Sequence, residues 1–189
     1  MRTQRKIQKI AKILPASLAS LVLGNIEYRK EERFIHGKRV DASYDAETEH
    51  IIFWGNLQVD DYDLVIILMH EIGHLLFHKV LSDQEKRRWL KTHAEESLDF
   101  GLDKEYPLTQ IPEETFACLC SIEGMIGWLE GHHMNEKAKK LKAKLKRLSP
   151  KGSVLVKKTL HQTVKKDLFH STVKTVRNWI EKETGPLDS

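Results

Sequence analysis

The sequence predicts an α+β domain in which a few short strands come first and helices follow. Three observations carry this. Between residues 25 and 54, short apolar runs, some alternating with polar residues, are separated by turn formers such as Gly37, Asp45 and Gly55-Asn56. From about Asp60 onwards the apolar residues recur at helical spacing instead. The chain has 189 residues, 40% of them hydrophobic, which is enough to bury a real core.

Residues 4–23 read as a helix that restarts at Pro15, a residue suited to a first helical position. The alternative is a signal peptide, because the stretch is basic up to Lys12 and moderately apolar as far as Gly24. Residues 25–28 form a first strand, and 29–33 a charged turn or strand end. Residues 39–44 form a second strand, with Val40, Ala42 and Tyr44 alternating with polar neighbours, and 45–48 form a turn. His50–Trp54 is the third strand. Asp60, Asp61 and Asp63 then crowd the start of a helix, where negative charge meets the positive end of its dipole. That helix runs to about Val80. Ser82 and Glu85 make a capping box for a helix over 83–98. A loop over 100–110 leads to Pro112, which starts a helix over 113–131 with Phe116, Leu119, Ile122, Ile126 and Leu129 at helical spacing. Asn135–Leu148 is a lysine-rich helix, 149–152 a linker and 153–183 a last long helix. These divide the chain into a domain over 1–133 and a basic helical extension over 134–189.

The helix that begins near Asp60 carries His70-Glu71-Ile72-Gly73-His74, followed by His78. At 100° per residue, with His70 at zero, His74 lies near 40°, His78 near 80° and Glu71 near 100°. All four share one face, and Val65, Leu68, Ile72, Leu75 and Leu76 occupy the other. Two imidazoles one turn apart can converge on one Zn²⁺. Glu71 follows His70 too closely to join them as a ligand. It is placed to take a proton from a water that the metal acidifies, as a general base. His78 reads as a supporting or surface residue, with ligation as the alternative. Gly73 lets another element approach the helix closely.

Composition narrows the remaining classes. No apolar run reaches the roughly 18 residues that a membrane span requires. Cys118 and Cys120 lie two apart on a helix, so they point in different directions. They read as buried free thiols and fit a reducing compartment, hence a cytoplasmic protein, or a secreted one if the N-terminal stretch is a signal. From Lys137 to the end there are 15 Lys and Arg against 4 Asp and Glu, a balance of +11, while the whole chain carries +4 and the first 136 residues therefore −7. The basic extension suits an acidic partner or nucleic acid, although its lysines fall on several helix faces and it has few aromatics.

A catalytic zinc takes three protein ligands and keeps one position open. The best source of the third is the acidic pair Glu113-Glu114 at the start of a helix about 40 residues downstream. Glu95, Glu96 and Asp99 read as solvated faces. Taken together, the strands, H-E-x-G-H on a helix, and Glu114-Thr115-Phe116-Ala117 downstream resemble the gluzincin metallopeptidases of the anthrax lethal factor-like group, which includes the Pro-Pro endopeptidases. The likeness spans roughly residues 13–130 and includes the run from Gly37 to Asp45 with the following His50-Ile51-Ile52-Phe53. It implies a zincin-like fold, zinc held by His70, His74 and Glu114, with Glu113 as the alternative ligand. It also implies Glu71 as general base and a tyrosine, here Tyr106, that steadies the oxyanion. The chain is also similar to the ImmA/IrrE-type metallopeptidases in H-E-x-G-H followed by L-L-x-H, but their downstream helix reads A-N-x-F-A with the ligand further ahead of the Phe, a region that here holds Ile111 and Pro112.

The expected activity is therefore zinc-dependent hydrolysis of a protein or peptide, with the strand His50–Trp54 pairing with an extended substrate. The alternative is a binding protein built on the same fold, whose basic helices engage a partner. The presence of Glu71 favours the enzyme, since nothing structural requires it.

Overall fold

The computed structural model describes residues 24–35, 37–55, 59–98, 100–104 and 106–165. The expected N-terminal helix, Asp99 and the end of the last helix lie outside them. The architecture is α+β, and the described residues form a small mixed sheet and five α-helices.

Three or more short strands were expected, and the described residues form five: β1 (Ile26–Arg29), β2 (Arg33–Ile35), β3 (Lys38–Val40), β4 (Ala42–Asp45) and β5 (His50–Trp54). β2 begins at Arg33, the last residue of the expected charged turn or strand end, extends to Ile35 and pairs antiparallel with β3 in a hairpin. Gly37, at φ +76°, takes the left-handed conformation at its turn. The single strand expected over 39–44 divides at Asp41. The chain passes there from the hairpin into the main sheet, and the Asp41 carbonyl accepts the Trp54 N–H at 3.0 Å.

The main sheet has the order β1-β5-β4. β5 runs parallel to β1, with Ile26 beside Ile51, and antiparallel to β4, with Ala42 beside Phe53. Ile51, Ile52, Phe53 and Trp54 are all buried, as befits a central strand covered on both faces. Both ladder edges of β5 are therefore occupied, and it cannot be the strand that receives a substrate. That expectation is corrected; the strand order leaves an open side on β4, which has β5 on one side and no other strand beside it among the described residues.

Helix α1 (Asp61–Lys79) is capped by Asp60, whose carboxylate accepts the Asp63 N–H at 2.8 Å. Its apolar face sends Leu64, Leu68, Ile72 and Leu75 into the core with Phe53 of the sheet. Its flank lies against α3 (Ile111–Gly131), which has Pro112 in its first turn. The helices meet at Gly73, where an added Cβ would stand 2.5 Å from the Ala117 Cα, and at Gly124, where it would stand 2.2 Å from the Met69 Cγ. Between them in sequence comes α2 (Asp83–Glu96), which has the expected capping box of Ser82 and Glu85 and ends at Ser97, φ +47°. Its Trp89 is fully buried and its indole N–H donates to the Pro112 carbonyl at 2.7 Å, tying α2 to the start of α3. The connecting loop contains a 3₁₀ turn, Leu102–Lys104.

α4 (Asn135–Leu148) has the expected bounds. α5 (Pro150–Lys165) begins inside the expected linker. Pro150 is its first residue, and Glu96 of α2 caps its start by accepting the Lys151 N–H at 2.7 Å and the Ser149 hydroxyl. Glu95 pairs with Lys151. Neither carboxylate is thus merely a solvated face. Gly152 is required here because a Cβ would press on Ser149, Trp89 and Leu119. Ala138, Leu145 and Val156 belong to the same hydrophobic cluster as Trp89 and Phe53. Truncation after Ser149 should accordingly lower stability by about 3 kcal/mol or more, since full burial of one valine is worth ~1.5–3 kcal/mol and Val156 is only one of the residues removed. An unchanged urea midpoint would show that α5 adds nothing to the core. No helix among the described residues is long and apolar enough to cross a membrane.

Candidate metal centre

The site lies where the histidine face of α1 meets the first turn of α3. His70 Nε2 stands 3.2 Å from His74 Nε2 and 3.2 Å from the Glu114 Oε2, and the His74 Nε2 is 3.6 Å from the same oxygen. These atoms form a nearly equilateral triangle. An ion with bonds of about 2.0–2.1 Å in tetrahedral geometry holds its ligands roughly 3.3 Å apart, so the triangle could seat a metal ion without moving its corners. The two rings are nearly perpendicular, at 77°, which lets both nitrogens point to one place.

The sequence left Glu113 and Glu114 as alternatives, and the structure separates them. The Glu114 carboxylate faces both Nε2 atoms. The Glu113 Oε1 instead lies 2.8 Å from the His74 Nδ1 and 2.9 Å from the His78 Nε2. Glu113 therefore sits on the far side of His74 from the triangle, and His78 reaches Glu113, not the triangle. The His78 ring stacks on Tyr44 with centroids 5.7 Å apart.

Electrostatics follow from this arrangement. Burial alone would lower the pKa of both histidines. Hydrogen bonds with Cys118 and Glu114 outweigh it for His70, pushed up to about 10, and those with Glu113 and Glu114 do so for His74, pushed up to about 9. Burial would raise the Glu114 carboxyl, but the two imidazoles hold it at about 2. Glu71 is 7% exposed, and burial pushes its carboxyl above the ordinary range against the pull of His74 and His70. Its carboxylate accepts the Tyr44 N–H of β4. It stands beside the triangle without contributing a corner.

Three residues here escaped sequence reasoning. Cys118, expected to be a buried thiol, is only partly buried, and it helps to raise the His70 pKa. Cys120 is fully buried, as expected. The signal for Cys118 was its place one turn after Glu114, on the same face of α3. Glu113, by sequence an alternative ligand, instead bridges His74 and His78. Tyr44 was noted only for strand alternation, yet its side chain borders the site and its hydroxyl is buried with no hydrogen-bond partner among the described residues. Burial, together with nearby Glu49, Asp45 and Glu113, pushes its pKa up to about 12.

The triangle opens into a cleft of about 280 Å³. Tyr106 and Gln110 border it on one side, Ile35, Val40 and Ala42 on another, so Tyr106 is brought to the site as well. No protein-family model, curated protein or solved structure matches the chain.

Proposed function

We propose that the protein is a zinc-dependent metallopeptidase of zincin-like fold. The observation that carries the reading is the His70, His74 and Glu114 triangle with the Glu71 carboxylate beside it, at the floor of a cleft whose wall is a sheet edge. Two imidazoles and one carboxylate are a donor set that suits zinc, and three corners leave a fourth position for a reacting molecule.

Zinc, when bound, supplies a Lewis acid that acidifies water and polarises a carbonyl. The chain's own residues do the rest. Glu71 is oriented by the Tyr44 amide and takes the proton of the attacking water on its carboxylate, then passes it to the departing amine. Tyr106 lines the cleft and is the candidate donor to the developing oxyanion. Substrate lies along β4. Because the Asp41 carbonyl pairs with Trp54, the alternating ladder turns the backbone groups of Ala42 and Tyr44 away from β5. The Tyr44 N–H is committed to Glu71, so the Ala42 amide and carbonyl and the Tyr44 carbonyl are the groups that would pair with an extended peptide.

Purified protein should hold about one zinc per chain after loading and removal of excess metal. His70→Ala, His74→Ala and Glu114→Ala should each lose it. Elemental analysis that finds no zinc in the wild type would overturn the proposal. Retention in Glu114→Ala would move the third ligand elsewhere.

A further inference from the structure

One oxygen of Glu113 receives two imidazoles, the Nδ1 of His74 at 2.8 Å and the Nε2 of His78 at 2.9 Å. His74 and His78 are one turn apart on α1, so this pair of contacts follows from helix geometry and from the register of α3. We infer that Glu113 is a positioning residue for the metal centre, and that His78 acts through it. The inference rests on the metallopeptidase reading above.

An ionised carboxylate only accepts hydrogen bonds. Both histidine nitrogens facing Glu113 must then carry protons. In the neutral ring that a metal requires, a proton on the Nδ1 of His74 leaves the lone pair on its Nε2, the atom at the corner of the triangle. Glu113 thereby sets both the tautomer and the rotation of the His74 ring.

His78 contributes the second half. Glu113 and Glu114 are consecutive on the first turn of α3, and a mobile Glu113 would compete with Glu114 for the ion. The His78 N–H holds the Glu113 oxygen on the opposite side of His74. The His78 ring is itself held by the face of Tyr44 and the edge of Phe77. Tyr44 also orients Glu71 through its backbone. One residue of the sheet edge therefore supports the general base with its amide and this chain of contacts with its ring.

The test measures zinc affinity by chelator competition and the visible spectrum of the cobalt(II)-loaded protein, in wild type, Glu113→Ala, Glu113→Gln, His78→Phe and the Glu113→Ala/His78→Phe double variant. Glu113→Ala should weaken zinc binding by roughly 10–100-fold, the usual effect of removing such a support, and should shift the cobalt bands. Glu113→Gln keeps an oxygen to accept the His74 N–H and should recover most of the affinity. His78→Phe preserves the stacked ring and should also weaken binding and alter the spectrum. The double variant should lose no more than Glu113→Ala alone, because His78 works through Glu113. The inference falls if Glu113→Ala leaves affinity and spectrum unchanged. It also falls if that variant loses zinc as completely as Glu114→Ala, which would make Glu113 a ligand. Additive losses in the double variant, or a Glu113→Gln as weak as Glu113→Ala, overturn it too. A wild type that binds no zinc removes the parent reading, whereas a zinc-binding wild type with indifferent variants removes this inference alone.

Discussion

Glu71→Gln should keep its fold and its zinc while losing roughly 10²–10⁴-fold in peptide hydrolysis, a barrier increase of about 3–5 kcal/mol. The substitution keeps side-chain size. The Gln oxygen can still accept the Tyr44 N–H that the Glu71 carboxylate accepts. Glu71 is buried, and burial disfavours its charged form, so a neutral amide costs no more to bury than the carboxylate did. Metal is retained because the three corners of the site are His70, His74 and Glu114. What disappears is the group that can take a proton. The decisive comparison is initial rates on a peptide substrate at equal zinc occupancy, with the urea midpoints of both proteins measured alongside. A variant that cleaves at the wild-type rate removes Glu71 from the chemistry. A biological activity untouched by Glu71→Gln, yet abolished by reversing the exposed charges of Lys139, Lys140 and Lys146 on α4, would instead favour a binding protein built on this fold.

Gly73→Ala should damage stability and metal binding together. On helix propensity alone the change would stabilise by about 1 kcal/mol. Packing opposes it. The new methyl would stand 2.5 Å from the Ala117 Cα, 3.0 Å from its Cβ and 3.2 Å from the Cys120 Cβ. The nearest of these is backbone, which can yield only if α1 and α3 separate. Overpacking of this kind costs typically 1–3 kcal/mol, and backbone contact belongs at the upper end, so the net change should be about 1–2 kcal/mol of lost stability. The separation has a second consequence. His70 and His74 belong to α1 and Glu114 to α3, so parting the helices stretches two sides of the triangle, now 3.2 and 3.6 Å. Zinc affinity should therefore fall even in the fraction that remains folded. Urea denaturation and chelator competition on the same preparation measure both effects. A Gly73→Ala protein as stable as wild type with unchanged affinity would mean that the helices do not approach here as described.

Local regularities were legible in the sequence. His70, Glu71, His74 and His78 share a face because 3.6 residues make a turn, and that holds whatever the helix packs against. The acidic start of α1 at Asp60, Asp61 and Asp63, the Ser82–Glu85 capping box and the bounds of α4 were readable for the same reason, since each depends on residues within one or two turns. The short apolar run of His50–Trp54, closed by Gly55-Asn56, marked a strand.

Relations between distant segments needed the tertiary structure. Nothing in Glu113-Glu114 says which carboxylate meets the histidines. That depends on the rotation of α3 about its axis, set by the contact of Gly73 with Ala117 and of Gly124 with Met69. Strand order is likewise non-local. A continuous apolar run identifies β5 as a strand, but only its pairing with both β1 and β4 makes it central and leaves β4 to face the cleft. The start of α5 looked like a linker because Ser, Pro and Gly are turn formers. It is helical because Glu96, more than 50 residues earlier, caps its first amides, and because Trp89 leaves room there only for glycine. A helix repeats at short range and so writes its face into the sequence. The angle and register at which two helices or strands meet arise from side chains tens of residues apart, and close packing alone selects among the arrangements that the local pattern permits.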